Sequence, residues 1–209
     1  SPMLIHRVSL VGSFLVLGVV LVLNFPGAMS ASAISIQDRP EYRHFEFIAN
    51  VQGDEPLLKE AHLRAAIDLV REGRWDVGTC ATPLNTDIAR TDASVVKVAR
   101  AASGRALYFS RAPIPYKRDE KPVGEELERE PFLRHIGIYS YTRAALHDWV
   151  ALAPSQLERL ELLEQLRPLE AGLKIGVAIV GAVDPGVDTP ADVIRIEEKL
   201  SEQGATTFA

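Results

Sequence analysis

Residues 45–56 read Phe-Glu-Phe-Ile-Ala-Asn-Val-Gln-Gly-Asp-Glu-Pro. Phe45 to Val51 is a short, mostly apolar run, and Gln52-Gly53-Asp54-Glu55-Pro56 is a polar turn. Together they describe a buried strand running into a loop. Leu63, Ile67 and Val70 then recur at helical spacing within Leu58 to Arg71, and Gly73 is a stop signal. Val77 to Ala81 reads as the next strand. A strand, a helix and a strand in immediate succession form the unit from which parallel sheets are built.

The same grammar continues towards the C-terminus. Val95 to Val98 and Ala106 to Phe109 read as two strands joined by the turn Ser103-Gly104, an inserted hairpin. Residues 117–131 are charged and contain Pro122 and Gly124, the composition of a loop or lid. Arg134 to Tyr141 is a further strand. Ser155 and Glu158 have the spacing of a capping box, and the helix they open is expected to run to Gly172. Lys174 to Val180 is a strand, and Thr189-Pro190-Ala191-Asp192 opens a last helix. The expectation is an α/β fold with a mainly parallel sheet, in which ligands sit beyond the carboxyl ends of the strands.

Composition narrows the class of protein. The chain has 209 residues, 47% of them hydrophobic and 24% charged, which suits one ordinary globular domain. A net charge of −5 argues against a broad surface for nucleic acid or anionic lipid, while leaving room for a local basic pocket. The one cysteine, Cys80, excludes an internal disulfide and a cysteine-built zinc site. Its apolar neighbours mark a buried strand thiol rather than a nucleophile.

Residues 1–44 read differently. Val8 to Phe25 is nearly continuous in apolar residues, after His6-Arg7 and before Ala31-Ser32-Ala33. Three expectations compete for this run: a signal peptide or membrane anchor, a truncated or misassembled start, and a buried helix of the fold.

Several polar residues stand at strand ends. Asp54 follows the first strand and Asp188 sits in Pro185-Gly186-Val187-Asp188-Thr189-Pro190. Each can serve as a turn or cap residue, and the pair could hold magnesium, which takes one or two protein carboxylates. Arg111 follows the strand Ala106 to Ser110, and His135 begins another. An arginine can grip a carboxylate through two parallel hydrogen bonds, and a histidine can bond hydroxyls or carboxylates; a surface ion pair and a core histidine are the plainer alternatives. Glu164-Gln165 interrupts the apolar face made by Leu162, Leu163, Leu166 and Leu169, either as a solvated pair or as donors and acceptors for a polyhydroxylated ligand.

Five segments taken in order carry a family resemblance. They are Asn50 to Pro56, Ala106 to Ala112, Phe132 to Tyr139, Leu163 to Arg167 and Gly186 to Pro190. The set resembles the 3-deoxy-manno-octulosonate cytidylyltransferase (CMP-Kdo synthetase) family, over roughly residues 45 to 203. The resemblance implies a nucleotide-diphospho-sugar transferase type of sheet and the reaction of CTP with Kdo to give CMP-Kdo and pyrophosphate, for lipopolysaccharide. It implies magnesium on Asp54 and Asp188, and a Kdo site lined by Gln52, Arg111, His135, Tyr139, Glu164 and Gln165. A cytoplasmic homodimer is also implied. The family's Pro-Ala-Arg, Pro-Gly-Lys, Ala-Thr-Asp and Ser-Gly-Thr-Asp-Arg motifs do not occur in this sequence. Residues 1–44 are therefore expected to be foreign to the family, residues 45–209 to be the C-terminal part of its domain, and this chain to have little activity. A membrane-anchored, non-catalytic remnant and a cytidylyltransferase for another acidic sugar are the competing expectations.

Overall fold

The structure is a computed structural model, and it describes residues 19–24, 46–52, 58–84, 87–118, 132–182, 193–194 and 196–198. Strands β1 (Val19–Asn24) and β2 (Phe47–Gln52) are followed by helix α1 (Glu60–Arg71) and β3 (Val77–Pro83). The short helix α2 (Asp87–Thr91) leads to the hairpin of β4 (Lys97–Arg100) and β5 (Ala106–Ser110). Then come β6 (Leu133–Thr142), α3 (Arg143–Ala151), α4 (Gln156–Glu161), α5 (Leu166–Glu170) and β7 (Ile175–Ile179).

The α/β class and the inserted hairpin are as the sequence predicts, and the sheet is mixed. Its main path is β1-β2-β6-β3-β7, with β4 and β5 branching from β6. Strands β1, β2, β3 and β7 share one direction, while β6 runs against both β2 and β3. The reason lies in the connections. A parallel return needs a crossover, usually a helix, and α1 supplies one between β2 and β3. Strand β6 follows the β4–β5 hairpin in the order of described elements, and it slots in the other way round.

Alternation along the strands divides the core. On one face Ala49, Cys80, Ile136 and Ile138 pack beneath Leu63, Ala66 and Ile67 of α1. On the other, Ile48, Val77, Ala81, Tyr139 and Tyr141 meet Ala145, Leu146 and Trp149 of α3 and Leu163 and Leu166 nearby. Helix α3 lies in a stretch whose apolar spacing the sequence reading passes over. Its start is marked by Thr142, whose hydroxyl accepts from the Ala145 N–H at 3.1 Å. Trp149 meets Tyr141 and Tyr139 edge-on, with centroids 5.4 and 5.8 Å apart.

The long helix expected from Ser155 to Gly172 is instead two short ones. The capping box forms as predicted, Ser155 Oγ accepting from Glu158 N and Glu158 Oε2 accepting from Ser155 N. The helix then stops at Leu162, which takes a left-handed conformation with φ of 53°. Pro168 explains the break. In a continuous helix its ring would clash with the carbonyl of Glu164 and it has no N–H to offer. In the restarted helix it falls in the first turn of α5, where no N–H partner is needed.

Of the apolar run Val8 to Phe25, the described part is β1, which pairs in parallel with β2 from Val19 opposite Phe47 to Asn24 opposite Gln52. These six residues are thus neither a membrane-spanning helix nor a buried one. Among the described residues no helix is long and apolar enough to cross a membrane. The loop expected at 117–131 lies outside the described residues from 119 onward, as does the Thr189-Pro190-Ala191-Asp192 helix start. Cys80 is fully buried as predicted, and burial pushes its thiol up to about 12.

Close approach between α1 and the sheet rests on Gly78. A Cβ there would stand 2.2 Å from the Ala66 carbonyl oxygen and 2.6 Å from Ser140 Oγ. Gly78→Ala should therefore cost about 1–3 kcal/mol in denaturant unfolding, the usual cost of overpacking. Gly181→Ala, with nothing within 4 Å of its Cβ, should stay within about 0.5 kcal/mol of the parent.

Candidate active site

Three chain segments converge at one end of the sheet. His135 lies near the start of β6, opposite Ala81 at the carboxyl end of β3. Lys97, at the start of β4, faces both Ser110 at the end of β5 and Arg134 on β6. Arg111, the residue after β5, thereby stands at the same end of the sheet as His135, with β4 between their strands. The Phe109 ring meets the His135 ring edge-on at 5.1 Å, and Tyr139 follows at 5.3 Å from the imidazole. The α4–α5 break, with Glu164 and Gln165 in it, covers the face of the sheet on which Tyr139 lies.

Arg111 is held on several sides. Its backbone N–H donates to Glu161 Oε2 at 2.9 Å, its Nε to the Glu161 carbonyl at 2.8 Å and its Nη1 to the Ala93 carbonyl at 2.9 Å. Glu161 Oε1 also accepts from Ser110 Oγ at 2.6 Å. Among the described residues nothing bonds Nη2, which keeps one corner of a positioned guanidinium for an anion. Behind it, Lys97 is fully buried. Its ammonium donates to the carbonyls of Asp92 at 2.7 Å, of Val95 at 2.6 Å and of Arg111 itself. Burial holds the Lys97 amine below its ordinary range, and three carbonyl acceptors satisfy its three donors.

The remaining predicted residues differ in character. His135 is 9% exposed, and burial first, then the neighbouring Arg134 charge, lowers its pKa to about 3, so the imidazole is neutral. Tyr139 is buried, and burial raises its phenol well above the ordinary value. Burial also raises Glu164, and Gln165 is buried at the α5 cap. Gln52 ends β2, in register with Asn24 of β1. Asp54 and Asp188 lie outside the described residues, and among those described no group of three His, Cys, Asp or Glu side chains could hold a metal.

Lys97 and Glu161 are the residues that sequence reasoning passes over. Lys97 carries a visible signal, a lysine inside Val-Val-Lys-Val-Ala where an outward-facing charge has no apolar reason to be flanked so. Glu161 carries none, since it reads as one more glutamate of a leucine-rich helix.

An anchored arginine and a neutral, buried histidine at the same end of an α/β sheet make a setting for a small polar anion. A profile for the family described as Cytidylyltransferase matches residues 22–175, so the chain belongs to the cytidylyltransferase family. The match begins inside the apolar segment that the sequence reading sets apart. The members it resembles are 3-deoxy-manno-octulosonate cytidylyltransferases. That of Gemmatimonas aurantiaca is 45% identical over 159 residues, 75% of this chain and 60% of the relative. That of Pectobacterium carotovorum subsp. carotovorum is 42% identical over 76% of this chain and 64% of the relative. The chain thus spans 60 to 64% of the length of these curated relatives. A solved structure of CMP:2-keto-3-deoxy-manno-octonic acid synthetase complexed with CTP superposes with a TM-score of 0.70 at 30% identity, covering 84% of this chain and 68% of that one.

The α4–α5 break is braced by Glu158 and Arg167. Arg167 Nε donates to Glu158 Oε2 at 2.7 Å, and its Nη2 pairs with Oε1. Those bonds hold Glu158 below its ordinary value of 4.5, so the unfolded chain takes up a proton at higher pH than the folded one. The stabilisation is present above that value and is lost as the pH falls through the folded pKa. Glu158→Gln keeps the cap to Ser155 and removes the charge. It should lower unfolding free energy by about 2 kcal/mol at neutral pH, with the gap to the parent closing in acid.

Proposed function

We propose that this chain forms the sugar-acid side of a cytidylyltransferase site that joins CTP to 3-deoxy-manno-octulosonate (Kdo), giving CMP-Kdo and pyrophosphate for lipopolysaccharide. The observation that carries the reading is Arg111, anchored by Glu161 and the Ala93 carbonyl at the end of the sheet where His135 lies near the start of β6. The relatives' names and the CTP complex of the structural neighbour support it. Arg111, braced by Glu161 and Lys97, offers Nη2 to the sugar carboxylate. His135, Tyr139, Glu164, Gln165 and Gln52 are the groups for the hydroxyls, and the buried ring cluster excludes water from one side of the sugar. The anomeric hydroxyl is the nucleophile towards the α-phosphate, and reactions of this type depend mainly on positioning and charge neutralisation.

Asp54 and Asp188 are the carboxylates that would hold magnesium, whose charge neutralises the triphosphate when bound. A cytoplasmic homodimer follows from the same resemblance.

Calorimetry on the purified chain tests the sugar-acid reading. Kdo should bind, and Arg111→Ala should weaken it about 10- to 100-fold, the equivalent of about 1.5–3 kcal/mol for a hydrogen bond to a charged group. Unchanged Kdo affinity in that variant, or tighter binding of sialic acid than of Kdo, would overturn it.

A further inference from the structure

Strands β3 and β6 pair out of step at one point. Thr79 faces Tyr139, but the next residue, Cys80, faces Ile136, so Gly137 and Ile138 are surplus on β6. Irregularities of this kind leave backbone groups without ladder partners and re-aim side chains. Here the Thr79 hydroxyl fills the gap. Its Oγ1 donates to the Ile138 carbonyl at 2.6 Å, with the Ile136 carbonyl at 3.5 Å, and lies 2.9 Å from His135 Nε2.

Proton counting decides the direction of the last contact. A threonine hydroxyl has one hydrogen to give, and a carbonyl oxygen can only accept. The Thr79 proton is committed to Ile138, so the short contact with the imidazole requires the hydrogen on Nε2. A neutral ring with a proton on Nε2 has a bare lone pair on Nδ1. Among the described residues nothing bonds Nδ1, and His135 retains some exposure.

We infer that Thr79 is a positioning residue that locks His135 as the Nε2–H tautomer, so that Nδ1 accepts a hydrogen bond from a hydroxyl of the bound sugar acid. The inference rests on the sugar-acid reading above for the identity of the ligand, and on the strand geometry alone for the tautomer. It divides the labour of the site. A carboxylate cannot donate to Nδ1, so the ligand's anionic group goes to Arg111 and a neutral hydroxyl goes to the imidazole. The low pKa of His135 agrees with this, since a ring that stays neutral keeps its acceptor.

Long-range proton–nitrogen NMR of the full chain labelled with 15N-histidine tests it, with His135→Asn used to assign the resonance. The parent and Thr79→Ser should both show a protonated Nε2 and a bare Nδ1, without titration between about pH 5 and pH 8. Kdo should shift the Nδ1 resonance. Thr79→Val, which keeps the shape and deletes the hydroxyl, should populate the Nδ1–H form and weaken Kdo binding about tenfold, while Thr79→Ser stays near the parent. A merely structural threonine would alter stability and leave the tautomer as it was. An Nδ1–H ring in the parent, or a Thr79→Val protein with the parent's tautomer, overturns the role of Thr79 even if Kdo binds normally. A parent chain with the Nε2–H tautomer that fails to bind Kdo overturns the sugar-acid reading and the accepted hydroxyl with it.

Discussion

Strand β6 is the element on which the rest of this structure depends. It is the central strand of the main path, paired to β2 on one side and β3 on the other, and it runs against both. Both its faces are covered, by α1 below Ile136 and Ile138 and by the aromatic cluster above Tyr139 and Tyr141. A strand saturated on two edges and two faces has no freedom to slip, because a shift of one residue would exchange its two faces. That rigidity lets a surplus of residues at Gly137 and Ile138 persist as a fixed irregularity. It also delivers His135 and Tyr139 to the same face.

Much of this architecture is legible in the residues, and the parts that are not share a cause. The strands at 77–81, 106–109, 134–141 and 174–180 are read almost to their ends because their apolar runs are short and bounded by Gly, Ser or charged turns. The direction of β6 is not legible in the sequence, since direction depends on what the preceding segment crosses rather than on the strand's own residues. The helix break shows the limits of periodicity. Leucines at 162, 163, 166 and 169 satisfy a helical spacing whether or not the chain is continuous, and Pro168 was the one residue able to say otherwise.

For the site, the residues named from resemblance divide by where the fold puts them. His135 and Tyr139 meet ring to ring, Arg111 stands at the same end of the sheet across β4, and Glu164 and Gln165 lie in the break over the face that carries Tyr139. What reading the chain could not supply is the support behind them. Glu161 is fifty residues from Arg111 and Thr79 is fifty-six from His135, separations over which only the completed sheet decides who meets whom. Charge and polarity at these positions look ordinary until the partner is known.

Lys97 carries a consequence for the chemistry of this surface. Reagents that acylate or alkylate lysines need an amine that can shed its proton to solvent and turn to meet them. This ammonium has no exposed surface and points its hydrogens at the carbonyls of Asp92, Val95 and Arg111. In the intact fold it is silent to such reagents, while lysines at the surface react. The appearance of label at this one position would therefore be an optical-free gauge of whether the hairpin and the arginine that follows it are still seated on the sheet.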